Sequence, residues 1–399
     1  MTGIKPLSAR RSMPDCTSSQ SYRRALGLIC GLLLAGILYA GLKPFRAPPN
    51  QVSWIAGANA VRFGKSATMI SSASFPPTPV AGQRTLEFWV KPAAMDDSST
   101  VIAFYNPASP RQFYLHQSES DLEIRIESSN AWLKTPRERV NFDRAFEGAG
   151  KDALWDVTSD RSGTAVYRNG SLLAKTPIKP SASEFGGRLV IGNSPIFNDS
   201  WEGVFRGLAI YDTALDQARI ARHYANWISS GAPKLDRDDR CIALYLFNEH
   251  GGSVVHNRIQ PGNDLHIPQK YFIVRQTVLD PVWRSFNWSA GFWKDAFINI
   301  AGFIPFGCLL CAYFSCLKYR HPVLIAIAAA VIVSLFIELT QTQLPTRDSS
   351  MADLIDNTLG AALGAAAHRG KVAKAISRGT YFLIRAVNRD PARTKERPC

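Results

Sequence analysis

The sequence predicts an all-β sandwich inserted into a four-helix α transmembrane bundle. Three observations carry that expectation. Four helix-length apolar stretches lie towards the two ends of the 399-residue chain. Between them runs a long segment in which apolar and polar residues alternate, as they do in half-buried strands. Lysine and arginine collect beside the apolar stretches and are balanced by acids elsewhere.

The charge distribution narrows the partners. The chain carries a formal net charge of +14, yet residues 50–290 hold 26 Lys+Arg against 24 Asp+Glu. The surplus therefore belongs to the flanks. A nucleic-acid groove would concentrate it in the folded middle, whereas basic residues packed beside apolar spans are the positive-inside signature. The expected partner is the lipid bilayer, with no nucleic acid.

Residues 25–42 hold no charge and follow Arg10, Arg11, Arg23 and Arg24 of the basic segment 1–24. A span needs roughly 20 apolar residues. No small-x-small cleavage site follows, so this stretch reads as an uncleaved anchor and first transmembrane helix. Residues 296–317 and 322–339 are the next two spans, and 354–367, shorter and rich in Ala and Gly, is the fourth. Placing segment 1–24, the loop 318–321 and the basic tail 370–399 on one side closes the topology with four spans. Both termini are then cytoplasmic, and the middle of the chain faces outward.

That middle contains the alternating runs 85–90, 112–117, 121–127, 164–175 and 188–192. Asn169-Gly170, between two such runs, signals a two-residue hairpin. Many short strands with turn signals predict a sandwich, with a short helix at 214–226. Residues 269–293, which include Trp283, Trp288 and Trp293, read as a juxtamembrane connection with interfacial aromatic anchors.

Polar residues interrupt the apolar segments near the C-terminus. Asp295 and Asn299 are spaced i,i+4, Glu338 and Gln341 i,i+3, and Asp353 and Asn357 i,i+4, with Arg347 in the loop between the last two pairs. Under the four-span topology all seven fall near the outward face. Ionisable groups there are costly and are expected to form a site or to pair with one another. Pro305 and Gly307 are expected to break the second span, and Gly360 and Gly364 form a small-xxx-small packing face. Cys308, Cys311 and Cys316 lack an accompanying His or acidic cluster and read as packing residues, so no metal is expected.

Two resemblances sharpen these expectations. The strings DAFINIAGFIPFG (295–307) and IELTQTQLPTRDSSMADLIDNTLGAALG (337–364) resemble the VanZ family of bacterial polytopic membrane proteins. The strings TLEFWVKP, TAVYRNGSLLA, GRLVIGN and SWEGVFRGLAIYDTALDQARIARHY resemble the laminin-G-like or concanavalin-A-like jelly roll. The second covers roughly residues 55–230, and together the two imply a jelly roll over 50–268 and a VanZ-like membrane domain over 294–369. CIALYLFNEHGGSVVHNRIQPGNDLHIP (241–268) is similar to the strand that ordinarily opens the jelly-roll family, yet here it comes last, which predicts circular permutation.

The resemblances imply a cell-envelope protein of the inner membrane, non-enzymatic, whose jelly roll binds a glycan or protein. The VanZ namesake's association with low-level teicoplanin resistance implies a link to glycopeptide tolerance or envelope polysaccharide. Two alternatives stay open: an enzyme with Glu338 or Asp353 as general acid or base on a lipid-linked envelope precursor held by Arg347, and a membrane-anchored lectin. Glu119, Asp121 and Glu123 form an E-x-D-x-E string similar to that of jelly-roll glucanases, where two carboxylates do the chemistry. Asp121, Glu123, Arg125 and Glu127 alternate along one strand, however, and are expected on a solvated, charge-paired face. No cofactor is expected; Ca2+ in the jelly roll is conceivable on the resemblance, but no residue pattern calls for it.

Overall fold

The computed structural model describes residues 20–79, 82–128, 130, 132, 138–147, 152–286 and 288–369. The basic segments 1–19 and 370–399, which weigh in the expected orientation, lie outside the described residues. The chain divides into a β unit, Pro44–Asp280 with Gln341–Asp348, and a helical unit built from the remainder.

Among the described residues the β unit contains two antiparallel eight-stranded sheets. The first runs in the order β1 (Val52–Trp54), β2 (Val61–Phe63), β13 (Gly203–Tyr211), β4 (Arg84–Pro92), β9 (Ala153–Ser159), β10 (Thr164–Arg168), β11 (Ser171–Thr176), with β14 (Cys241–Tyr245) also on β13. The second runs β15 (Val254–Val255), β16 (Leu265–His266), β3 (Met69–Phe75), β12 (Gly187–Ile191), β5 (Ser98–Tyr105), β6 (Gln112–Ser118), β7 (Asp121–Glu127), β8 (Glu138–Phe142). The alternating runs of the sequence coincide with β4, β6, β7, β10, β11 and β12. Asn169 at φ 51° and Gly170 at φ 77° form the β10–β11 turn, both in the left-handed region that such a hairpin needs.

Alternate side chains of the two sheets close one core, which includes Phe63, Phe88, Phe104, Phe113, Trp155 and Trp201. Burying a side chain of Phe size stabilises by roughly 1.5–3 kcal/mol, so this core is the main source of the unit's stability. Strand β14 aligns Tyr245 with Leu208 and Ala243 with Ile210, and Ala243, Tyr245 and Phe247 join the core. Segment 241–247 is thus an integral part of the sandwich.

Helix α2 (Gln217–Ser230) lies on the other face of the first sheet. It begins after Asp216, whose side chain accepts the Arg219 N–H, and ends at Gly231 with φ 73°. This cap explains the later start than the expected 214. Ile220, His223 and Trp227 recur on its inner face and meet Leu154, Tyr167, Tyr211 and Leu215. Gly207 makes room for that contact, because a Cβ there would overlap the Trp227 ring.

Residues 269–280 form a strap over the second sheet's loops. Gln269 accepts the Asn50 N–H at 3.1 Å, Arg275 N–H donates to Pro195 at 2.9 Å, and Thr277 N–H to Ile196 at 3.2 Å.

The helical unit comprises α1 (Gln20–Leu42), α3 (Val282–Ser285), α4 (Ala290–Cys316), α5 (Pro322–Gln341, its last residue grouped with the β unit) and α6 (Met351–Arg369). Among the described residues, α1, α4 and α5 are long and apolar enough to cross a membrane. Cys30, Phe306, Cys311, Ala330, Ile337 and Ala361 share one apolar cluster that draws on α1, α4, α5 and α6. Helices α4 and α6 touch backbone to backbone: a Cβ on Gly307 would strike the Ala361 carbonyl, on Gly360 that of Ile300, and on Gly364 that of Ile304.

One expectation fails in this unit. Pro305 does not break the second span, since α4 continues past it to Cys316. Proline removes one intrahelical hydrogen bond, a loss that a long apolar helix packed on a neighbour tolerates. Gly307 serves the crossing with α6.

Candidate functional site

The face of α5 carrying Ser334 and Glu338 presents polar side chains at i and i+4 in a helix that is otherwise apolar up to Leu339. Glu338 is 1% exposed and Ser334 fully buried, so each requires a partner. Glu338 Oε2 accepts the Ser350 N–H at 2.7 Å. Ser350 immediately precedes α6, and the carboxylate thereby takes one of the donors that a helix N-terminus leaves unpaired. The Ser349 hydroxyl also bonds Glu338, and Asp353 is near enough for the two charges to interact. One turn deeper, Asn357 Nδ2 donates to Ser334 Oγ at 2.9 Å. Asn357 Oδ1 is buried and accepts from no described residue.

Of the sequence-derived candidates, Glu338 and Asp353 come together at the start of α6, and Asn357 joins them through the same helix. Asp295 is exposed and Asn299 half-buried, and among the described residues neither is hydrogen-bonded to that group. Gln341 and Arg347 belong to the β unit, where Gln276 Nε2 on the strap donates to the carbonyls of Gln341 at 3.3 Å, Leu344 at 3.2 Å and Arg347. Ser334, Ser349 and Ser350 were missed from sequence. Ser334 was detectable, since it lies one turn before Glu338 on the same face.

The jelly-roll carboxylates depart from expectation. Glu123 is 1% exposed and not on a solvated face. Strand β8 pairs with β7 and brings Arg139 onto Glu123 Oε1, while Arg125 bonds Oε2 and His116 Nδ1 lies 3.6 Å from it. Asp121 Oδ1 accepts the Arg144 N–H at 2.7 Å. Two arginines hold Glu123, so it is committed to structure, and the E-x-D-x-E string assembles no free carboxylate pair.

A second buried polar group lies under α2. His223 has Nδ1 3.1 Å from Glu87 Oε2 and Nε2 3.2 Å from Asp239 Oδ2. Glu87 Oε1 further accepts from the Tyr211 hydroxyl at 2.9 Å and from Trp227 Nε1. Burial disfavours the charged imidazole, but hydrogen bonds and charge from Glu87 and then Asp239 outweigh it, and the His223 pKa is raised above 6.5. Asp156, opposite Glu87 in the sheet, is pushed well above the carboxylate range by burial and then by the Glu87 charge. Among the described residues, no cluster of three or more His, Cys, Asp or Glu is arranged to hold a metal ion, and the described cysteines form no disulfide.

Apolar helices of spanning length joined to an antiparallel sandwich define a membrane protein with an attached lectin-like domain. Comparison with protein families agrees: residues 244–372 match the VanZ/LLP1 model and residues 64–221 the concanavalin A-like lectin/glucanases superfamily model. The chain thus combines a VanZ-like region with a laminin-G-type domain. Curated proteins yield no match.

Among solved structures, the botulinum neurotoxin serotype D ligand-binding domain in complex with N-acetylneuraminic acid is similar at 14% identity and TM-score 0.34, over 47% of this chain and 48% of that one. The botulinum neurotoxin type G receptor-binding domain is 12% identical with TM-score 0.33, over 45% of each chain. A pentraxin from Limulus polyphemus is 16% identical with TM-score 0.29, over 40% of this chain and 83% of that one. The chain spans about half the length of the toxin domains it matches.

Proposed function

We propose that this is a multi-pass inner-membrane protein of the cell envelope, with both termini cytoplasmic and an outward, circularly permuted jelly roll that binds a glycan or protein ligand. The observation that carries the reading is the union, in one chain, of VanZ-like helices bearing a buried carboxylate with a concanavalin-A-like sandwich. The positive-inside charge bias supports the orientation, with α6 completing a four-helix bundle as its fourth span. Permutation is supported by the pairing of β14 with β13 and by the two ends of the β unit lying side by side, Pro49 bridging to Lys270. Such ends suit a domain inserted between spans.

The membrane group around Glu338 acts in this reading as a polar site near the outward boundary. A second reading, acid–base chemistry by Glu338 or Asp353 on a lipid-linked envelope precursor, is favoured by one feature: the buried Asn357 Oδ1 is an acceptor open to a donor from a bound molecule. The VanZ likeness supports a proposed link to glycopeptide tolerance or envelope polysaccharide under either reading.

The test is binding of the full chain in lipid nanodiscs to an array of envelope-type glycans. Saturable binding to a defined subset is expected. A folded protein that binds none of them contradicts the glycan reading, and Glu338→Gln with normal membrane level but lost phenotype would favour the enzymatic one.

A further inference from the structure

The sandwich has two outer faces, and they differ in access. On the second sheet, the residues that alternate with the core, Tyr114, His116, Glu123 and Val190, are each no more than 2% exposed. Asp199 closes on this face, with Oδ2 3.3 Å from His116 Nε2, and the strap is fastened beyond it, Val278 accepting from Trp132 Nε1 at 3.3 Å. Among the described residues, these four side chains offer a ligand almost no surface. On the first sheet, α2 covers the middle but ends short of the β9–β10 turn. There a cleft of about 380 Å³ opens between that turn, β11 and the start of α2. Its size falls within the range of small-molecule sites, roughly 300–1,000 Å³.

The lining defines the chemistry. Asp160, Ser162, Lys175, Asp216 and Gln217 surround the cleft, with the largely buried Tyr167 among them. Asp160 is held rigidly, because its Oδ1 accepts the Ser162 N–H at 2.6 Å, the Ser162 hydroxyl at 2.5 Å and the Gly163 N–H at 3.2 Å. These bonds, the Ser162 hydroxyl first, lower its pKa and keep it a carboxylate. No described group occupies its Oδ2, which is left as a fixed acceptor. Lys175 balances Asp160, and Arg219 lies 3.5 Å from Asp216, so the cleft has no surplus of positive charge to draw phosphates, uronates or sialic acids, and its walls are mainly polar. A hydroxyl donor suits the fixed Asp160 Oδ2, with Lys175 available to a ring oxygen or hydroxyl lone pair.

We infer that this cleft is the glycan subsite of the jelly roll and that it takes an uncharged pyranose unit, held by Asp160 and Tyr167. The inference rests on the glycan-binding reading above. Its site lies on the α2-bearing sheet, opposite the strapped face.

The test uses the full chain in nanodiscs on an array of neutral and acidic oligosaccharides, with Asp160→Asn and Tyr167→Phe as variants. The conservative Tyr167→Phe change keeps the buried ring, so it remains informative if Asp160→Asn weakens the turn. The expected result is binding of neutral glycans, reduced at least ten-fold by each folded variant with an unchanged melting temperature. Wild-type binding that both variants retain would overturn the subsite while leaving the glycan reading intact. Selective binding of acidic glycans would overturn the ligand class. No wild-type binding would remove the glycan reading and this subsite with it.

Discussion

His223 on α2 sits between two acids, its Nδ1 3.1 Å from Glu87 of β4 and its Nε2 3.2 Å from Asp239. With a carboxylate at each nitrogen, the ring is a double donor and therefore an imidazolium, which fastens α2 to the sheet. Because its folded pKa is raised above 6.5, the stabilisation is fully present below about pH 6.5 and is lost as pH rises through the raised value. Asp156, also raised, contributes in the same direction from its ordinary 3.8 upward. The melting temperature of the β unit within the full chain should therefore fall from pH 6 to pH 9. His223→Gln should melt lower at pH 6, by about 1.5–3 kcal/mol for the charged bond, and show a shallower pH dependence. Equal slopes in the two proteins would contradict the imidazolium clamp.

The α4–α6 crossing allows no side chain at Gly364, where a Cβ would strike the Ile304 carbonyl, whereas a Cβ at Gly302 of α4 meets nothing within 4 Å. Gly364→Ala should cost about 1–3 kcal/mol by overpacking. Gly302→Ala should be neutral or slightly stabilising through helix propensity. Thermal aggregation of the detergent-solubilised chain, measured for both, should separate them clearly. Similar behaviour would refute the backbone crossing.

Glu338 accepts the Ser350 N–H at 2.7 Å, a bond that an amide oxygen can also accept. Glu338→Gln should therefore retain membrane level and helix content. Glu338→Leu leaves that donor unpaired and should destabilise by about 1–3 kcal/mol. Solubilised melting temperatures report the difference, and a Leu variant as stable as the Gln variant would mean that the bond contributes nothing.

Gln276 holds the 341–348 loop through its carbonyls. In Gln276→Ala, loss of about 1 kcal/mol of local stability should speed hydrogen exchange about five-fold at the Leu344 and Arg347 amides, which now donate to Gln341 and Leu344. Exchange in β13 should not change. Unchanged loop exchange would show that the strap does not hold it.

The sandwich was legible because its information is local. Alternation in β4, β6 and β7 and the Asn169-Gly170 turn are written within a few residues of chain. Glu123 was misread for the opposite reason: β8 and Arg139, which bury it, come later in sequence and pair only in the fold. The group under α2 was invisible, since Glu87, His223 and Asp239 meet only when the helix docks. Pro305 misled because local propensity argued for a break, and packing of α4 on α6 overrode it. Glu338, Asp353 and Asn357 stood out because charge and amide groups are costly in apolar helices, but their serine partners carry no such signal.

Every glycan claim requires the jelly roll to face outward, so a topology map is the most direct measurement. A reporter active only outside the cytoplasm, fused in turn after residues 250, 320, 347 and 385 of the chain, reads the orientation of each segment. The account predicts activity at 250 and 347 and silence at 320 and 385. Activity at 320 with silence at 250 would place the jelly roll in the cytoplasm and contradict the envelope-binding function.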